Sequence, residues 1–242
     1  SPAYGNGHAE ETVGEALKDY DRNDVVIASK TGLEKRNNKA VRNSSPDFIL
    51  KDIESSLKRL GTDYIDIYQI HWPDPVQPMN ETAEIMDRLR EEGKIRVIGV
   101  SNFSAEQMET FSENVDINTC QSPYNIFERN IEGDVIPYCL KNDITLLTYR
   151  SLCQGLLTGK LDPDTDYSKH PVKKDDPKFK SPRYHQYLNA VYKLDKLVQE
   201  GYNKSVIDLA IQWILDNDNT VALWGAWKPE HIEYVNLLSN WD

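Results

Sequence analysis

Asp63-Tyr64-Ile65-Asp66-Ile67-Tyr68-Gln69-Ile70-His71-Trp72-Pro73 is the stretch whose reading decides the fold. Isoleucine and tyrosine fit a pleated surface and no helical stripe emerges, so the segment reads as a strand buried on both faces. It ends in a histidine. Pro73 and Pro75 forbid continuation of the ladder, which puts His71 at the C-terminal end of a strand, where parallel α/β folds gather their chemistry.

Four further runs have the same form. Val25-Val26-Ile27-Ala28-Ser29-Lys30 ends in a base, and Val97-Ile98-Gly99-Val100-Ser101-Asn102 ends in a hydroxyl and an amide. Asn118-Thr119-Cys120-Gln121 ends in an amide, and Ile144-Thr145-Leu146-Leu147-Thr148-Tyr149 in an aromatic. Polar groups recurring at the ends of successive buried strands are the layout of a barrel with one functional face.

Helices fill the intervals. Residues 9–18 begin acidic and end basic, as suits a helix dipole, with Val13, Ala16 and Leu17 as the expected inner stripe. Ser45-Pro46-Asp47 is a helix start, Ile49, Ile53, Leu57 and Leu60 follow at helical spacing, and Gly61 stops the helix. Helices are also expected over 81–94, after Ser104, over 136–140, 187–200 and 205–215. A last strand spans 220–226, and Pro229 opens a final helix with Ile232, Val235 and Leu238. Residues 31–43 read as a polar surface loop, and 161–184 as an excursion too long for an ordinary connection, either a lid or a mobile insert. Six strands alternating with helices imply parallel strands and right-handed crossovers. An open doubly wound sheet is the competing arrangement, but no G-x-G-x-x-G follows a strand, and Gly5-Asn6-Gly7 does not either.

The 242 residues can bury a substantial core, and nothing in them reads as a linker, so one domain over 1–242 is expected. A net charge of −11 argues against nucleic acid or an anionic membrane as the main partner, since both demand a basic face. No apolar run has the roughly 18 residues of a spanning helix. Cys120, Cys139 and Cys153 are odd in number and lack metal-site spacing, so small buried apolar roles, no metal and a reducing cytoplasmic location are the expectation.

Seven pieces carry a resemblance: Tyr4-Gly5-Asn6-Gly7-His8-Ala9-Glu10, Ser29-Lys30, Gln69-Ile70-His71, Gly99 to Phe103, Cys120 to Asn125, Gly155 to Lys160, and Gly225 to Glu230. Together, and in this order, they resemble the aldo-keto reductases. That resemblance implies a (β/α)8 TIM-type barrel binding a nicotinamide dinucleotide without a Rossmann domain, and a small-molecule aldehyde or ketone as substrate. It implies a catalytic tetrad of which Tyr4, Lys30 and His71 map. The family's aspartate, five positions before the tyrosine, has no counterpart, and two strands and a helix would precede this point. The chain therefore reads as a barrel short of its first two strands and first helix: a fragment, or a protein that closes itself by self-association through the exposed edges of the Val25 and Val221 strands.

The same resemblance implies cofactor contacts. Ser101, Asn102 and Gln121 would bond the nicotinamide amide, Tyr149 would stack on its ring, and Ser151, Leu152, Gln154 and Gly155 would approach the pyrophosphate. Gly225, Ala226, Trp227, Lys228 and His231 match the adenosine end, and the N-terminus of the Pro229 helix suits a phosphate. Many relatives carry a cation at the Trp227 and His231 positions, leaving Lys228 as the firm one, so NADP is expected with NAD open. Trp72 is the candidate substrate-pocket wall, and residues 31–43, 72–80 and 161–184 the pocket loops. Family members that act as channel-associated subunits imply an alternative, a catalytically silent or regulatory dinucleotide-binding protein.

Overall fold

The structure, a computed structural model, describes residues 1–37, 39–226 and 228–234. The chain forms two compact units, Ser1–Ser122 with Ile131–Leu147, and Pro123–Asn130 with Thr148–Asp242.

In the first unit the elements are α1 (His8–Leu17), β1 (Ala28–Thr31), β2 (Leu33–Arg36), β3 (Lys39–Arg42), α2 (Pro46–Leu60), β4 (Ile65–Ile70), α3 (Met79–Glu91), β5 (Ile95–Ser101), α4 (Ala105–Ser112), β6 (Thr119–Pro123), α5 (Val135–Lys141) and the start of β7 (Thr145–Tyr149). Strands β1, β4, β5 and β6 pair in parallel in chain order, and Thr145 N of β7 donates to Asn118 O. Sequential parallel neighbours with intervening helices are the (β/α)8 barrel type of architecture.

Register sets one inner row: Lys30 pairs with Gln69, Gln69 with Gly99, and Gly99 with Thr119. A Cβ at Gly99 would strike Thr119 Oγ1 and Gln69 Cγ, so the absent side chain is what lets this layer close. Helices cover the other face. Ile49, Ile53 and Leu60 of α2, Met86 and Leu89 of α3, and Phe111 of α4 are fully or almost fully buried, as their spacing requires.

Three expectations change. Residues 31–43 contain the antiparallel hairpin of β2 and β3, paired Leu33 to Arg42 through Arg36 to Lys39; its mostly charged and exposed residues show no apolar alternation, so the run reads as loop. Ser45 stands at the N-cap of α2 but its hydroxyl makes no capping bond, leaving Pro46 and Asp47 to start the helix. On α1 the buried residues are Glu10 and Gly14, whereas Val13 is 43% exposed. The helix approaches its neighbour through small residues and a carboxylate, which an apolar-stripe reading cannot see.

The second unit holds the end of β7, α6 (Arg183–Tyr202), α7 (Val206–Leu215), β8 (Thr220–Ala222) and α8 (Pro229–Glu233). Leu223 N donates to Thr148 O, Thr148 Oγ1 donates to Val221 O, and Tyr124 N donates to Tyr149 O. Ser205 and Asp208 form a reciprocal capping box that starts α7. Leu156, Leu157, Phe179, Tyr184, Val191, Val206 and Ala210 make its core. Tyr167 lies 5.1 Å from Phe179 and 5.5 Å from Tyr184 between ring centroids, and Tyr184 OH donates to Asp162 O at 2.7 Å. Residues 161–184 are thus a packed insert, its order coming from aromatics spaced too irregularly to show a period. Of the expected final helix, Val235 and Leu238 lie outside the described residues, as does Trp227.

Candidate active site

The turn before α1 positions Tyr4. Gly5, Asn6 and Gly7 all take left-handed backbone, with φ of 62°, 54° and 94°. That explains the glycines: they reverse the chain into α1, a conformation side chains resist. At Gly7 a Cβ would also sit 2.8 Å from the Arg59 side chain.

Strand alternation positions Lys30. Ser29 and Thr31 share one face of β1 and Lys30 takes the other, in the inner row. His71 follows the last residue of β4, and its N–H extends the ladder to Thr31 O at 2.8 Å. Its own carbonyl accepts from Asn102 Nδ2 at 2.9 Å. Asn102 adopts a left-handed φ of 62°, which asparagine tolerates, and so staples the end of β4 to the end of β5.

These elements bring the three tips together. Tyr4 OH lies 3.4 Å from His71 Nε2, the two rings are 5.6 Å apart, and Lys30 Nζ stands 5.7 Å from the Tyr4 ring centroid. Ser1 Oγ is 3.3 Å from His71 Nδ1. Tyr4 is 49% exposed while Lys30 and His71 are 9% and 8% exposed, so an accessible phenol sits over a buried ammonium and imidazole.

Burial dominates the electrostatics. It pushes the His71 imidazole down to about 4, with Lys30 adding repulsion, so the ring is neutral at pH 7. Burial likewise lowers Lys30 to about 8 and raises the Tyr4 phenol. No hydrogen bond reaches the Lys30 ammonium among the described residues. Nearby, burial raises Asp52 of α2 to about 6, Thr31 working against it, and its Oδ2 is sealed in without a hydrogen-bond partner.

Ser101, Asn102 and Gln121 also converge. Ser101 Oγ donates to Gln121 O at 3.0 Å, Asn102 N–H donates to the same carbonyl at 2.9 Å, and Asn102 Nδ2 donates to Ser101 Oγ at 3.0 Å. The hydroxyl proton of Ser101 is thereby committed to the backbone. The buried side-chain amide of Gln121 makes no hydrogen bond within the described residues. Trp72 is half-buried, with the Arg42 guanidinium of β3 5.2 Å from its ring centroid and Arg42 Nη1 donating to Pro73 O.

The second unit contains the remaining expected residues. Ser151 Oγ donates to Leu223 O at 2.9 Å, joining the loop after β7 to the end of β8. Gln154 and Gly155 are left-handed, with φ of 54° and 97°, and Leu152 begins that turn. Gln154 Nε2 donates to Asp176 Oδ2 at 3.0 Å, and Asp176 in turn takes Lys178 at 2.9 Å. The Tyr149 carbonyl is held by Tyr124. Gly225, Ala226, Lys228 and His231 are exposed, Lys228 at the N-cap of α8.

Sequence reasoning missed Glu10 and Asp52. Glu10 is 3% exposed; it accepts from Ser29 Oγ at 2.5 Å and from Arg59 Nε and Nη2, each at 2.8 Å. Its oxygen also lies 3.2 Å from the Ser1 nitrogen. The available signal was Gly7, Glu10 and Gly14 at spacings of three and four, a single helix face with no bulky residue.

Known proteins bear on this site. A relative from Bacillus subtilis (strain 168), the aldo-keto reductase YhdN, is 51% identical over all of this chain and 73% of the relative. A solved glycerol dehydrogenase from Gluconobacter oxydans is 44% identical, with a TM-score of 0.92 over 99% of this chain and 74% of its own. An aldo/keto reductase from Klebsiella pneumoniae, solved with NADP and acetate, is 28% identical, with a TM-score of 0.72 over 96% of this chain and 70% of its own. The sequence profile of the Aldo/keto reductase family matches residues 1–239. From half-identity to a named reductase, a nearly superposable dehydrogenase fold and an end-to-end family match, it follows that the chain belongs to the aldo/keto reductase family of oxidoreductases.

Proposed function

We propose that this protein reduces a small aldehyde or ketone with a nicotinamide dinucleotide, Tyr4 delivering the proton to the carbonyl oxygen. The observation that carries the reading is the meeting of a half-exposed phenol, a neutral imidazole 3.4 Å away and a buried ammonium beside the phenol ring.

A phenol with an ordinary pKa near 10 is a weak acid, so its anion needs a stabilising cation at hand. Lys30 supplies that cation while it remains protonated. Neutral His71 directs Nε2 toward the phenol oxygen, and a carbonyl oxygen placed there would take one hydrogen bond from each group. Trp72, held by Arg42, gives the substrate an apolar wall. The dinucleotide, when bound, supplies hydride to the carbonyl carbon. Gln121 fits its carboxamide: a buried amide with donor and acceptor uncommitted inside the protein complements the donor and acceptor of nicotinamide. Ser101 and Asn102 shape that edge. Within the second unit, Ser151, Leu152, Gln154 and Gly155, with Tyr149, Gly225, Ala226, Lys228 and His231, are proposed as dinucleotide contacts on their match to the family pattern.

NADP is the favoured cofactor, on the strength of the Klebsiella relative, with NAD to be compared directly. The test is reduction of glyceraldehyde, chosen because a relative dehydrogenates glycerol, followed with NADPH and with NADH. Tyr4→Phe is expected to lower kcat by about 10²–10⁴-fold, the range of a positioned general acid. Ordinary turnover surviving that substitution refutes the role of Tyr4.

A further inference from the structure

The phenol and the ammonium sit on different elements, and little backbone pairing joins them. Tyr4 belongs to a turn that runs straight into α1, whereas Lys30 belongs to β1, which pairs with β4. Something must fix the distance between turn and strand.

The packing of α1 identifies it. α1 lies against the end of α2 so closely that a Cβ at Gly14 would collide with the Arg59 and Leu60 backbone, and one at Gly7 with the Arg59 side chain. Gly7, Glu10 and Gly14 form the touching face. Into the seam made by the two glycines, Glu10 sends its carboxylate: one oxygen takes both nitrogens of the Arg59 fork, the other takes Ser29 Oγ and the Ser1 nitrogen. Ser29 immediately precedes Lys30 and points to the opposite face of β1. Pulling on Ser29 therefore rotates or translates the residue that carries the ammonium, and the Glu10 helix is continuous with the turn that carries the phenol.

We propose that Glu10 is a positioning residue, its carboxylate bridging the Tyr4 helix to the Lys30 strand so that phenol and ammonium keep a fixed separation. The inference rests on the roles given to Tyr4 and Lys30 above. The Glu10–Arg59 pair anchors helix to helix; the Glu10–Ser29 bond transmits that anchor to β1. The two functions can be separated, because Ser29→Ala removes the second and leaves the first.

The experiment compares Glu10→Gln, Ser29→Ala and the double variant with the wild type, using glyceraldehyde and NADPH. A misplacement on the order of 1 Å lowers turnover by up to about 10²-fold, so Glu10→Gln is expected to lose about 30-fold in kcat and Ser29→Ala about 10-fold. NADPH affinity and the KM for glyceraldehyde should stay within about twofold, and the double variant should be no worse than Glu10→Gln, as shared partners require. A purely structural Glu10 would lower thermal stability and leave kcat per folded molecule intact in Ser29→Ala; that result overturns the proposal, as does a double variant equal to the product of the singles. A second readout needs no turnover: after reductive ¹³C-methylation, the Lys30 resonance, assigned with Lys30→Arg, should shift in both variants, and an unmoved resonance overturns the proposal. Normal activity in Tyr4→Phe would instead remove the underlying reading, with the Lys30 resonance still judging Glu10.

Discussion

Lys30→Met should make this protein more stable while disabling it. The ammonium is 9% exposed, receives no hydrogen bond among the described residues, and is held by burial at about 8 against an ordinary 10.5. Each tenfold in proton affinity is worth 1.36 kcal/mol, so burying the charged form destabilises the native state by about 3 kcal/mol at pH 7. Methionine fills similar volume without charge. The variant gives up the cation–π contact with Tyr4, worth about 0.5–1 kcal/mol, which leaves a gain of about 2–3 kcal/mol, or a rise of about 4–12 °C in Tm for a chain of this size. The sign has a pH signature. Between pH 8 and 10.5 the unfolded chain still binds the proton that the folded protein has released, so wild-type stability climbs across that window relative to the variant. Urea denaturation at pH 7 and pH 10.5 measures both. A variant no more stable than wild type at pH 7, or an advantage that does not shrink at pH 10.5, would show that Lys30 is not an uncompensated buried charge.

The same titrations shape catalysis. The kcat/KM for glyceraldehyde reduction should be level from about pH 4 to 8, fall above about 8 as Lys30 loses its proton, and fall below about 4 as His71 gains one; a profile whose alkaline limb persists unchanged in Lys30→Arg refutes the assignment. Gly14→Ala should destabilise by about 3 kcal/mol, the upper end of overpacking, because its Cβ meets the Arg59 and Leu60 backbone; thermal unfolding checks it, and a neutral outcome would mean α1 can withdraw from α2.

Where the fold was legible, a β-prone run and a helical period were at work. β4 is buried on both faces, as its isoleucines and tyrosines imply, and α2 buries the residues that its spacing near 3.6 sets inward. The β2–β3 hairpin did not announce itself, since a short solvent-facing ribbon needs no apolar face and its Leu33-Glu34-Lys35-Arg36 run is mostly charged. The insert at 161–184 hid for a related reason: Tyr167, Phe179 and Tyr184 meet through loop geometry, which no repeat encodes.

The site divides along the same line. Lys30 and His71 stood out because each closes a strand, one of them before a proline stop, whereas Tyr4 was singled out only by the resemblance to the aldo-keto reductases; the structure brings the three tips together. Glu10 was not, because an acid in the first turn of a helix has a sufficient local explanation in the helix dipole, and that explanation ends the search. What it cannot account for is the company Glu10 keeps. A carboxylate favoured only by the dipole should face water, yet this one is enclosed between two glycines and held ionised against its burial by Ser29 and Arg59. Enclosing a charge is strongly unfavourable unless all its lone pairs are taken, and the chain satisfies them from both the α2 helix and the β1 strand. A group that ties those two elements to its own helix constrains what the three of them carry: the turn into α1 carries the phenol, and β1 carries the ammonium.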